Sequence, residues 1–85
     1  VVMKVQVRYF ASLRESIGSA NEWVETSAQR VADLRQQLMD RGGVYAETLA
    51  SHRPVRVAVN QVMAQDSTAL QEGCEVAFFP PVTGG

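Results

Sequence analysis

Several residue types on which catalytic and structural sites commonly depend are scarce in this chain of 85 residues, which has one cysteine, one histidine and one lysine. The single Cys74 has no partner for an internal disulfide, and no Cys/His cluster is present that could hold a structural zinc ion. No glycine-rich loop leads from a strand into a helix, so a phosphate-binding loop is excluded. We therefore expect a reducing, cytoplasmic setting and no cofactor or metal bound by the chain itself.

The sequence also lacks a cluster of charges of one sign and a long apolar run. Eight Lys and Arg against nine Asp and Glu give a net charge of −1, so we expect no nucleic-acid or membrane partner, because either would need a basic face. No apolar run approaches the roughly 18 residues of a membrane span, and the alternating N-terminal stretch is unlike a signal peptide. A domain this small holds one core but rarely a deep catalytic cavity as well. The chain is expected to be non-catalytic by itself.

The first third of the chain predicts a hairpin with a short helix inside it. Polar and apolar residues alternate from Lys4 to Phe10, which is typical of a half-buried strand, and Phe10 falls on its polar face. The next seven residues lose that alternation and stop at Gly18, which indicates a short helical turn. Residues 22–26 are predicted to be a second strand that pairs with the first.

The middle of the chain predicts one main amphipathic helix over residues 28–41, where apolar residues recur at i, i+3 and i+7. Thr26 or Ser27 is expected to cap its N-terminus with a side-chain oxygen. Gly42 and Gly43 are expected to end it, because glycine tolerates the backbone conformation of a helix C-terminus.

The second half of the chain predicts further strands. Residues 45–49 indicate a short helix, and residues 55–59 alternate as a third strand. Residues 60–61 are interpreted as a turn, with residues 62–63 returning as an edge strand and residues 75–79 forming the last strand. The resulting β-β-α-β-β order indicates an α+β domain with a mixed sheet packed on one main helix.

Two reactive side chains are interpreted without a chemical role. His52 lies in a polar segment with no visible partner cluster and is expected to be an exposed loop residue. Cys74 follows a predicted turn at Gly73 and is expected to be an unreactive surface or edge thiol.

The C-terminal segment is the most unusual feature. Two prolines end the last strand, because proline cannot donate to a strand ladder, so residues 80–85 are expected to leave the domain of residues 1–79 as an extended arm. A Gly-Gly ending arises by chance in about 0.5% of chains. A tip without side chains could enter a narrow tunnel and present its α-carboxylate to another enzyme. A carboxylate is a poor electrophile, so a nucleotide-dependent partner would have to activate it.

The run from Glu75 to Gly85 resembles the C-terminal signature of the sulfur-carrying small subunits of molybdopterin synthase. The segments from Tyr9 to Glu15 and from Val59 to Gln61 agree with the same family more weakly. The resemblance implies a ubiquitin-like β-grasp fold. It also implies that Gly85 is adenylated by a ubiquitin-activating-like adenylyltransferase, which uses MgATP, and is then converted to a thiocarboxylate by a sulfur donor. The large synthase subunit would transfer that sulfur to cyclic pyranopterin monophosphate.

The resemblance further implies a set of partner-binding residues. It comprises four arm residues, three apolar side chains and one arginine: Pro81, Val82, Thr83, Gly84, Phe10, Met63, Phe79 and Arg14. The arm residues would be inserted into the large subunit, and the apolar side chains would contact both partner proteins. The arginine would pair with an acidic group of a partner.

Three other interpretations remain open. Sulfur carriers for thiamine-type or cysteine-type acceptors also end in Gly-Gly. A ubiquitin-like modifier would join the same terminus to lysines of target proteins, although Lys4 is the only lysine here, so chains of the modifier itself are not expected. The third is a β-grasp interaction module with an inert tail.

Overall fold

The computed structural model describes residues 2–49 and 55–80. His52 and the predicted arm residues from Pro81 to Gly85 lie outside these ranges. The elements in chain order are β1 (Met3–Tyr9), α1 (Ala11–Ile17), β2 (Asn21–Thr26), α2 (Val31–Met39), α3 (Gly43–Thr48), β3 (Arg56–Val59), β4 (Val62–Ala64) and β5 (Glu75–Phe79). In the part of the chain so described, no helix is long and apolar enough to cross a membrane.

The five strands form one mixed sheet in the order β2-β1-β5-β3-β4. β1 and β5 are parallel, and every other neighbouring pair is antiparallel. Because parallel strands need a long crossover connection, the first and last strands can meet only after the chain has passed through the helices. The predicted mixed sheet with one main helix is confirmed. The predicted edge strand and the two predicted short helical segments are also present, as β4, α1 and α3.

The core lies between one face of the sheet and α2. Alternation along β1 turns Val5, Val7 and Tyr9 toward the helices, where each is at most 1% exposed. The apolar stripe of α2 packs on the same layer. Burying a side chain of this size stabilises a fold by about 1.5–3 kcal/mol. The period-two and helical patterns of the sequence therefore meet in a single core.

The prediction for the start of α2 is wrong. The helix begins at Val31 after Arg30, which makes no side-chain capping bond. The Thr26 hydroxyl instead accepts a hydrogen bond from the N–H of Ala28 at 2.9 Å. The N–H groups of Val31 and Ala32 donate to backbone carbonyls of the loop before β5, at 3.0 and 2.9 Å. A loop distant in sequence thus satisfies the first helical N–H groups in place of a cap.

The two glycines after α2 have the positive φ values predicted, but they do not cap that helix, which ends at Met39 with Asp40 as its C-cap in the right-handed helical conformation. Gly42 and Gly43 have φ values of 76° and 57°, a region that side-chain-bearing residues rarely adopt. The chain turns there and α3 begins at Gly43, two residues before the predicted short helix.

A tight turn at Asn60 and Gln61 joins β3 to β4, as predicted. Their φ values of 51° and 69° suit the type I′ turn whose twist matches a hairpin. The Asn60 side-chain oxygen accepts the N–H of Glu75 at 2.9 Å, and the Asn60 N–H donates to the Glu75 carbonyl at 2.8 Å. The turn therefore also fixes where β5 begins.

The prediction of a surface or edge thiol at Cys74 is wrong. Cys74 is 3% exposed and belongs to the core. Its carbonyl accepts the N–H of Gln6 at 2.9 Å, which extends the pairing of β1 with β5 by one residue. The side chain alternates with that of Glu75 and so faces the helices, where cysteine packs as a small apolar group.

Candidate partner-binding face

The sheet face opposite α2 displays the three apolar side chains that the resemblance implied as partner contacts. Phe10 and Met63 are 41% and 60% exposed, and Phe79 is half-buried. Phe10 is extended, with φ −126° and ψ 154°, between β1 and α1. Its N–H donates to the Phe78 carbonyl at 3.1 Å, which continues the β1–β5 ladder and sets Phe10 beside Phe79. Residues distant in sequence are thus brought onto one surface.

Two alanines form the floor between these larger side chains. Ala58 on β3 lies opposite Ala77 on β5, and Met63 lies opposite Ala58. Directly paired residues point to the same face of a sheet, so all three share this surface. The alanines are 9% and 7% exposed, and no larger strand residue is buried on this face in residues 2–49 and 55–80. We name this surface the apolar platform and define it by Phe10, Ala58, Met63, Ala77 and Phe79.

Arg8 supports one side of the apolar platform. Its Nη1 lies 3.0 Å from Glu75 Oε2, and its guanidinium carbon lies 5.4 Å from the centroid of the Phe10 ring. A guanidinium can bind a carboxylate in its plane and an aromatic ring on its face at the same time. Arg8 therefore restrains Phe10, although that ring is exposed to solvent.

Two further arginines lie near the apolar platform. Arg56 begins β3 directly opposite Phe79, and its side chain is exposed. Arg14 is exposed in the last turn of α1, and its backbone nitrogen donates a hydrogen bond to the Phe10 carbonyl oxygen at 3.4 Å. Within the two described ranges, neither guanidinium has a carboxylate oxygen within 4.0 Å. Both arginines are therefore available to an acidic group on another molecule.

A polar cluster that the sequence did not reveal ties α3 to the sheet. The Glu22 carboxylate accepts hydrogen bonds from Tyr9 at 3.2 Å, Tyr45 at 3.3 Å and Arg41 at 2.8 Å. The Arg41 guanidinium also lies 5.0 Å from the centroid of the Tyr45 ring. Burial, with the nearby Glu22 charge, raises the pKa of Tyr9, and the hydrogen bond to Glu22 raises the pKa of Arg41. The cluster lies on the helix side of the sheet and stabilises the fold.

This cluster predicts a loss of stability in alkali. An unfolded tyrosine ionises near pH 10, whereas folded Tyr9 keeps its proton to higher pH. The contribution of Tyr9 to the free energy of unfolding is fully present below about pH 10. It is lost as the pH rises further, because the unfolded state releases the tyrosine proton while the folded state still holds it. Tyr9→Phe keeps the ring and removes this ionisation. The melting temperature of this variant, measured by circular dichroism, should fall less steeply above about pH 10 than that of the unsubstituted chain. Equal slopes for the two proteins would contradict a raised pKa of Tyr9.

Comparison with known proteins decides the family. The sequence model of the ThiS family matches residues 7–85. The chain belongs to the ThiS family. It is 37% identical to the molybdopterin synthase sulfur carrier subunit of Escherichia coli K12, over 95% of this chain and 99% of that protein. It is 38% identical to the protein of the same name from Mycobacterium tuberculosis H37Rv, over 99% and 100% of the two chains. It is also 32% identical to small archaeal modifier protein 3 of Haloferax volcanii, over 98% and 100%.

Solved structures agree with this ThiS-family assignment. Small archaeal modifier protein 1 of H. volcanii superposes with a TM-score of 0.75 at 26% identity, over 94% of this chain and 99% of that one. The complex of subunits 1 and 2 of the molybdopterin-converting factor of Helicobacter pylori includes a chain with a TM-score of 0.67 at 25% identity, over 98% and 100%. The predicted ubiquitin-like β-grasp fold is confirmed.

The structure of this ThiS-family chain places only part of the predicted site. It brings Phe10, Met63 and Phe79 onto the apolar platform, and it places Arg14 one helical turn after Phe10 in α1. The arm, which carries the other predicted positions, lies outside the described residues, and the role of every site residue stays a prediction. In the described ranges no group of three or more His, Cys, Asp or Glu could hold a metal ion. Sequence reasoning missed the alanine floor and Arg56, although strand alternation could have placed both on this face.

Proposed function

We propose that this chain is the sulfur carrier subunit of a molybdopterin synthase and that the α-carboxyl of Gly85 carries the sulfur. The observation that carries the proposal is the nearly full-length similarity to two curated sulfur carrier subunits. The apolar platform supports it, because a carrier without its own active site needs a surface for partner enzymes. Phe79 belongs to that surface and directly precedes Pro80, where the predicted arm begins.

The proposed chemistry begins on a partner protein. A ubiquitin-activating-like adenylyltransferase uses MgATP, and a carboxylate oxygen of Gly85 attacks the α-phosphate so that pyrophosphate leaves. The resulting mixed anhydride is an activated acyl group. Hydrosulfide released by the donor then attacks the Gly85 carbonyl carbon and displaces AMP, which leaves a thiocarboxylate without any oxidation or reduction. The chain itself supplies the electrophile and the surface that orients it.

The second stage takes place on the large synthase subunit. That subunit binds the apolar platform and receives the arm, so that the thiocarboxylate reaches cyclic pyranopterin monophosphate. Each thiocarboxylate delivers one sulfur, so two transfers build the dithiolene of molybdopterin, and water supplies the oxygen that restores each carboxylate for another cycle. The chain is therefore a sulfur-donating subunit rather than a catalyst in isolation. A cytoplasmic location, where MgATP is available, is part of the proposal.

Intact-mass spectrometry tests the first stage. Co-expression with the adenylyltransferase and the sulfur donor should raise the mass of the chain by roughly 16 Da, because one carboxyl oxygen is exchanged for sulfur. Omitting the adenylyltransferase is the control and should leave the mass unchanged. An unchanged mass with both proteins present would contradict the sulfur carrier.

A second candidate function is protein modification, which the similarity to small archaeal modifier protein 3 favours. The same activated Gly85 would then form an isopeptide bond with a lysine of another protein, and the mass experiment would show a ladder of larger adducts. Lys4 is exposed and lies 3.9 Å from Glu25 across the hairpin. Because it is the only lysine, Lys4→Arg would remove any adduct built from copies of this chain and leave adducts with other proteins.

A further inference from the structure

The strand charges on the face that carries the apolar platform do not cancel. Lys4 lies 3.9 Å from Glu25, and Arg8 lies 3.0 Å from Glu75. These two acidic residues are each paired with a cation of the same face. Arg56 is the remaining strand cation of this face, and no carboxylate of the described residues pairs with it.

Arg56 occupies a defined place beside the apolar platform. It is paired in register with Phe79, the last residue of β5, so its charge lies where the chain leaves the sheet toward the arm. β3 is held between β5 and β4, which fixes the backbone from which the side chain extends. An arginine so placed can lie along Phe79 with its aliphatic stem and present its charge at the edge.

A partner that covers the apolar platform must accommodate this charge. If Arg56 becomes buried without an acceptor, the cost of removing a guanidinium from water opposes binding. If Arg56 stays at the rim, it attracts acidic groups and accelerates association with them. In either position, a carboxylate on the partner is the group that suits a guanidinium best, through paired hydrogen bonds.

We propose that the large synthase subunit carries a carboxylate that pairs with Arg56, so that Arg56 is a specificity-determining residue of this interface. The inference rests on the proposed function and adds to it the chemistry of the partner surface. The large subunit is chosen because a relative of this fold has been solved in complex with its second subunit. Arg8 is less suited to this role, because Glu75 and Phe10 already occupy its guanidinium.

Binding measurements on matched variants test the inference. Arg56→Gln should bind the large subunit about three- to tenfold more weakly at about 0.05 M salt, mainly through slower association. The difference should shrink at about 0.5 M salt, and Arg56→Lys should retain most of the affinity. Arg30→Gln is the control, because it removes the same charge from an exposed residue at the start of α2. It should bind as the unsubstituted chain does.

The outcomes separate the inference from the proposed function. Equal affinities for Arg56→Gln and Arg30→Gln overturn the inference, as does an effect confined to the adenylyltransferase. If Met63→Asp, which places a charge on the apolar platform, still weakens binding strongly in that case, the proposed function stands. If the unsubstituted chain does not bind the large subunit at all, the proposed function and the inference both fail. Because both arginines are exposed, the two variants should have the same melting temperature. Equal melting temperatures show that a difference in affinity is not caused by unfolding.

Discussion

Removing Gly85 is expected to abolish sulfur transfer and leave the free energy of unfolding unchanged. The deletion makes Gly84 the C-terminus, so the α-carboxyl group that would carry the sulfur is withdrawn by about 3.3 Å from its place in the partner active sites. Misplacing a reacting group by about 1 Å can already cost about a hundredfold in rate, so a displacement of this size should reduce sulfur transfer at least that much. The core of the described residues lies between Met3 and Phe78, so the fold should persist. Dithiolene formation with the large subunit measures the first effect and urea denaturation the second.

Gly85→Leu provides the matched control for length and charge. It keeps a terminal carboxylate at the same position but adds a bulky side chain, so a tunnel that admits only glycine would exclude it. Activity should again be lost. Normal activity in Gly85→Leu would contradict the narrow tunnel, and unfolding caused by the deletion would contradict a domain of residues 1–79 with a separate arm.

Met63→Asp is expected to weaken binding of the large subunit by about a hundredfold or more, because an unpaired charge buried in an interface costs about 3–5 kcal/mol. Val62→Asp is a closely matched control. Both residues belong to β4 and are similarly exposed, at 60% and 68%. Met63 pairs with Ala58 on the apolar platform, whereas Val62 pairs with Val59 and so faces the other side of the sheet. Isothermal titration calorimetry measures both affinities.

The difference between these two variants decides the result. Each places an aspartate in the same short edge strand, so their effects on strand formation should be alike. Equal losses of affinity would show that β4 is disturbed as a whole or that the wrong face was chosen. If neither variant loses affinity for the large subunit, the apolar platform is not part of the interface.

Local patterns predicted the elements well where the residues of one element decide its conformation. The strand alternation of β1 and β3 and the positive φ of the glycines after α2 were predicted correctly because each reflects the local sequence. The capping of α2 was predicted wrongly because its partners are carbonyls more than thirty residues away. Cys74 was misplaced because a turn was expected to expose it, whereas its strand register buries it.

The sequence alone determined which residues of β1 and α2 face the core and which family the C-terminal signature resembles, since periodicity and motifs are properties of a single segment. The tertiary structure decided which segments meet. Only the strand order β2-β1-β5-β3-β4 brings Phe10, Phe79 and Met63 onto one face, and only the packing of α3 gathers donors around Glu22. Strand order and register depend on contacts between distant residues, and no local pattern encodes them.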